Sequence, residues 1–199
     1  MFRRNLVPIW VAVLVLSSIY LMGQGWGPEE SVPPAPVPKT GQTTSYATGD
    51  DGDLQMGIAS PSPRFTDNGN GTVTDNLTGL IWTKDAGCGG SKTWSDAVNY
   101  CNILVDGGCT LSDGSILGDW RLPNIRELLS LVDYGNDDPA LPTGHPFLNV
   151  QSSTSYFYWA SSTGATQNID AWGVLFYWGT DTGAAKTSLH GVWCVRGGQ

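Results

Sequence analysis

GDWRLPNIRELLSLVD, residues 118–133, is the stretch on which the fold turns. Asn124 and Glu127 stand at the N-x-x-E spacing of a capping box, and Pro123 sits just before the helix they would start. Ile125, Leu128, Leu129 and Val132 then form one apolar stripe. Trp120 and Leu122 read as core. Arg121 reads as an internal tie, because a guanidinium can hold one carboxylate through two parallel bonds. A functional alternative has Arg121 and Glu127 lining a site. Capping and packing already account for the motif, so a structural helix start is preferred.

Upstream lies a second helical pattern. Thr93 can cap it, with Asp96 three positions on. Trp94, Ala97, Val98, Cys101 and Leu104 share one face. Before it, Thr72-Val73-Thr74 and Leu80-Ile81-Trp82 are short β-type runs set among Asn-Gly and Thr-Gly turn signals. Downstream, Phe157–Ser161, Ala171–Trp178 and Gly191–Arg196 are strand candidates. In the middle one, Trp172, Val174, Phe176 and Trp178 would share a face by alternation. Two helices with an antiparallel sheet make an α+β plan.

Three parts make up the 199 residues. In residues 1–27, Arg3 and Arg4 precede an uncharged run over 6–23, LVPIWVAVLVLSSIYLMG. A helix of that length nearly spans the hydrocarbon of a bilayer, at about 1.5 Å per residue. It reads as a membrane-crossing signal anchor, with a cleaved signal peptide as the alternative through the small residues Gly23 and Gly25. Either way, the chain downstream of it is exported. It faces the periplasm from the inner membrane if anchored, or reaches the cell surface if released. Residues 28–63 hold seven of the twelve prolines and five acidic side chains, and read as a disordered linker. Residues 64–199 hold all four cysteines and seven of the nine tryptophans, and read as the domain.

The net charge is −8 and only 14% of residues are charged. An acidic surface repels phosphate backbones, so nucleic acid is excluded as a partner. Sulfated polysaccharides are disfavoured on the same ground. Cys88, Cys101, Cys109 and Cys194 include no CxxC pair, and His145 and His190 are not spaced from them as zinc ligands. An even cysteine count in an exported chain reads as two disulfides, with three pairings open.

Asp67, Asn68, Asn70 and the nearby Asp75 offer oxygens among glycines, a pattern that suits calcium. No Glu closes the loop as in an EF-hand, so a glycine-rich turn held by Asx side chains is the better reading, and no metal or cofactor is assigned. Sugars stack their C–H faces on exposed rings. Tyr156, Tyr158, Trp178 and His190 are the ligand candidates, while most tryptophans read as core. No GxSxG, HExxH or phosphate loop occurs, so the chain reads as no enzyme.

The ordered series FTDNGNGTVTDNLTGLIWTK, W-x-x-A-x-x-Y-C-N, GDWRLPNIRELLSLVD, YWASS, AWGVLFYWG and VWCVRGG resembles the C-terminal domain of bacterial collagen-like adhesins of the Lcl type. The resemblance covers essentially all of 64–199. It implies a C-type-lectin-like fold in which the first helix is bridged to the last strand. Cys101 and Cys194 fit that bridge, which leaves Cys88 with Cys109. It also implies display at a surface and recognition of a glycan or another surface component. A structural protein that recognises an envelope protein is the alternative. The family's trimers form behind a Gly-X-Y stalk, and this sequence has no such repeat, so its oligomeric state stays open. The distantly similar formylglycine-generating enzymes use free cysteines, which two disulfides would remove.

Overall fold

A computed structural model of the protein describes residues 37–197. The expected hydrophobic helix over 6–23 and the linker as far as residue 36 lie outside the described residues. Among the described residues, no helix is long and apolar enough to cross a membrane.

Among the described residues the architecture is α+β, with three short helices and two small sheets. The first sheet is antiparallel and ordered β1-β2-β3-β9, from Phe65–Asp67, Thr72–Asp75, Ile81–Thr83 and Val195–Arg196. The second is ordered β4-β8-β5-β6-β7, from Ser91–Lys92, His190–Gly191, Tyr158–Thr163, Asp170–Leu175 and Thr180–Ala185. It is mixed, because β5 and β8 run parallel where Tyr158 meets Gly191. The single antiparallel sheet expected from the sequence is therefore two sheets. The C-terminal run read as one strand, 191–196, is the crossing between them. Gly191 ends one sheet, Val195 begins the other strand, and Val192, Trp193 and Cys194 pass buried through the middle.

Both expected helices form where their caps place them. α2 spans Trp94–Asn102, and the Thr93 side chain accepts from the Asp96 amide. α3 spans Ile125–Ser130 behind a complete capping box, with Asn124 accepting from the Glu127 amide at 3.0 Å and Glu127 accepting from the Asn124 amide at 2.7 Å. Each helix presents its stripe to a separate cluster. Leu128, Val132 and Leu131 join Trp82, Val73, Tyr158 and Trp193. Ala97, Cys101 and Leu104 join Trp120, Trp159 and Leu175. Two of the fully buried indoles keep partners for their N–H groups, which would otherwise be costly to desolvate, while Nε1 of Trp82 and of Trp120 has no partner. Trp193 donates to the Thr83 carbonyl at 2.8 Å and Trp159 to that of Lys92 at 2.9 Å.

Two further expectations need correcting. The linker read over 28–63 is structured from Val37 onward. Its order comes from hydrogen bonds rather than apolar burial, which is why a hydrophobicity argument missed it. Lys39 donates to the Ile58 carbonyl and Ile58 to that of Val37, both at 2.9 Å, while Tyr134 donates to the Thr40 carbonyl at 2.8 Å. Asp50 caps α1, Asp51–Leu54. The amides of Tyr46, Asp53 and Ala47 hold its carboxyl down at about 2. The strand read through Trp178 stops at Leu175, and Phe176–Gly179 form the turn of the β6–β7 hairpin.

Candidate functional site

β6 and β7 pair without interruption over six positions, from Asp170 opposite Ala185 to Leu175 opposite Thr180. β7 is the edge strand and carries only small and polar residues. Trp172 sits third in β6 between buried Ala171 and Gly173, yet it is 39% exposed. Its register partner on β7 is Gly183, which offers no side chain to cover the indole. Beside it the β5–β6 loop folds back. The Gly164 amide donates to the Asp170 carbonyl and the Asp170 amide to the Gln167 carbonyl, both at 3.0 Å. These elements enclose a groove of about 310 Å³, lined by Trp172, Gly183, Asp170, Gln167, Thr166 and Gly164 among others. At the other end of the hairpin, Trp178 is 54% exposed in the turn.

The four aromatic candidates from the sequence separate. Only Trp178 among them is exposed. Tyr158 is buried, and its hydroxyl accepts from the Gln151 amide at 2.8 Å. Burial pushes its pKa up. Tyr156 is half-buried edge-on to Tyr158, with ring centroids 5.7 Å apart. His190 stacks on Phe157 at 3.6 Å and meets Trp159 edge-on at 5.0 Å. The sequence pattern places the groove tryptophan, Trp172, on a strand face and does not mark it as a ligand contact. The signal that could have found it is the glycine-containing sequence of the neighbouring strand.

His190 and His145 both have their pKa lowered from 6.5 by burial. In the unfolded chain each takes a proton more readily than in the fold. Their contribution to stability is therefore complete above their ordinary value and is lost as pH falls through the lower, folded value. The urea midpoint should fall as the solution is taken from neutral to mildly acidic. The slope should be shallower in His190→Phe.

The remaining candidates are occupied internally. Arg121 donates to both Glu127 carboxylate oxygens at 2.7 Å and to the Gly197 carbonyl at 3.1 Å, as the tie expected of it. The side-chain hydrogen bond to Glu127 raises the guanidinium's pKa. Trp120 is buried beneath the Arg196 guanidinium, 4.9 Å from the ring centroid, and Pro123 offers its carbonyl to the Ser161 amide at 2.7 Å.

In the glycine-rich turn, Asp67 accepts from the Gly69 amide at 3.0 Å and from Lys84 at 2.7 Å. Asn68 bonds Thr72 at 2.8 Å, and Asn70 accepts from the Thr72 hydroxyl at 2.7 Å. Asp75 does not join them. It lies buried opposite Phe65 and is held by Arg64.

Cys101 is bonded to Cys194 and Cys88 to Cys109, each pair with Cα atoms 5.5 Å apart, and no cysteine among the described residues is free. This is the pairing that the resemblance implied. Two disulfides fit an extracellular or periplasmic location.

A search among curated proteins finds no match to the chain. The family model of the Lcl C-terminal domain matches residues 71–196, more than half of the 199 residues, from β2 to the last strand. The span takes in α2 and α3, both disulfides and the hairpin with its open indole, and the chain belongs to the Lcl C-terminal domain family.

Proposed function

We propose that this protein is an exported, envelope-tethered binding module of adhesin-like type that recognises a glycan. The observation that carries the reading is the β6–β7 hairpin, which leaves the Trp172 indole open beside polar residues in a domain whose other large aromatics are mostly buried. Family membership supports it, as do two disulfides that suit an oxidising space. The helices α2 and α3, two sheets and a bridge from α2 to the segment before β9 accord with a C-type-lectin-like fold. The uncharged run over 6–23 supplies the anchor or signal in this reading. The module acts by binding and not by catalysis. The described stretch, residues 37–197, lies in one compact unit, suited to a glycan array. Selective retention of saccharides is the expected result, and silence across neutral and acidic sugars would remove the glycan reading.

A second reading, recognition of another envelope protein, is favoured by a different surface. Trp178 and Tyr134 are both at least half exposed, and Tyr134 lies beside Gly179, the residue after Trp178. Cross-linking in intact cells would yield one dominant protein partner in that case.

A further inference from the structure

We propose that the groove beside Trp172 is a stacking site for one ring of an uncharged saccharide. This rests on the glycan reading above and names its site and ligand class.

An indole buries a large apolar area when it is covered, so an open one forgoes stabilisation that a neighbour could supply. Here the neighbour is missing at one position. Gly183 faces Trp172 across the hairpin, where an aromatic–β-branched pair is the usual stabilising choice. No backbone requirement explains the glycine. Its φ lies outside the left-handed region, and an added Cβ would meet only the Ala171 carbonyl oxygen, at 3.6 Å. The chain leaves the indole uncovered where a side chain would fit.

The surroundings set the ligand's chemistry. Gln167 and Asp170 use main-chain groups to hold the β5–β6 loop. Both residues line the groove, and their side chains take no part in those two bonds. The Gln167 amide can donate and accept, and the Asp170 carboxylate can accept from adjacent hydroxyls. An indole face attracts polarised C–H groups, and the C–H face of a pyranose presents them. The carboxylate, in a chain of net charge −8, repels sulfates and uronates. At about 310 Å³ the groove is at the small end of ligand clefts, which begin near ~300 Å³, so it suits one ring with part of a second.

The test compares the full chain, wild type, Trp172→Ala and Gly183→Val, by calorimetry against lactose, cellobiose, chitobiose and a heparin oligosaccharide. We expect the wild type to bind at least one uncharged disaccharide. Trp172→Ala should bind it about tenfold more weakly, equivalent to about 1.4 kcal/mol. Gly183→Val should lose affinity to a similar degree with an unfolding midpoint no lower than wild type, so it carries the test even if Trp172→Ala folds poorly. Equal affinity in all three proteins would overturn the site and leave the glycan reading standing. Binding of heparin alone would overturn the ligand class. Silence of the wild type toward every sugar would overturn both.

Discussion

Converting Cys101 and Cys194 together to Ala should lower the free energy of unfolding by about 4–5 kcal/mol. The bond joins residues 93 positions apart, from α2 to the buried segment before β9. Opening it restores to the unfolded chain the freedom of a long loop, and loop-closure entropy grows with the logarithm of loop length. Ala is the appropriate replacement because both sulfurs lie in an apolar cluster, where a hydroxyl would be left without a partner. The matched control is Cys88→Ala with Cys109→Ala. That bond spans only 21 positions and should cost about 3 kcal/mol. Guanidinium unfolding of the two double variants against wild type checks the order. A larger loss from the short bridge would contradict it. A whole domain is held by about 5–15 kcal/mol, so the long bridge is a sizeable share of it.

Elements that carry their own local chemistry were legible. Thr93 and Asn124 announce α2 and α3, because a side-chain acceptor at the N-cap is a local requirement that tertiary contacts do not alter. The hairpin of β2 and β3 follows from short β-type runs and turn glycines, and Val73 meets Trp82 in register. β7 was invisible. Its sequence, TDTGAA, has no large apolar residue, and it is a strand because β6 supplies hydrogen-bond partners along its length. Phe176 shows the opposite failure. Alternation continues in sequence past Leu175, but the chain turns there, burying Phe176 and exposing Trp178. Period alone cannot register where a strand ends when both sides of the boundary are large and apolar, here Val174-Leu175 and Phe176-Tyr177.

The candidate site was less legible than the fold, for a related reason. Whether an aromatic is open depends on what lies across from it, and that is a long-range fact. Tyr158 and His190 sit in glycine- and serine-containing contexts like loop residues, yet other rings cover them. Trp172 sits in the most strand-like run of the chain, and a glycine eleven residues on leaves it open. The polar segment over 37–63 shows the same limit. Neither the Tyr134–Thr40 bond nor the Ile58–Val37 bond has an apolar signature to read.

Arg64→Ala should cost about 3–5 kcal/mol. Arg64 grips Asp75 through Nε on Oδ1 and Nη2 on Oδ2, both at 2.8 Å, and donates to the Ser130 carbonyl at 2.9 Å. The two side chains are only 11% and 0% exposed. Asp75 also accepts from the Leu77 amide at 2.9 Å and the Thr78 hydroxyl at 2.7 Å. Removing the guanidinium leaves those two bonds but no countercharge, and a buried carboxylate without one is strongly unfavourable. Ser130 is the last residue of α3, so the substitution also frees the end of that helix from the first sheet. The Lys84–Asp67 pair gives the comparison, with exposures of 28% and 37%. Water screens it, and Lys84→Ala should change stability by no more than about 1 kcal/mol. Urea unfolding of the two single variants decides the matter. Equal losses would mean that Asp75 is not isolated from solvent as its burial indicates, and the tie between the first sheet and α3 would lose its energetic basis.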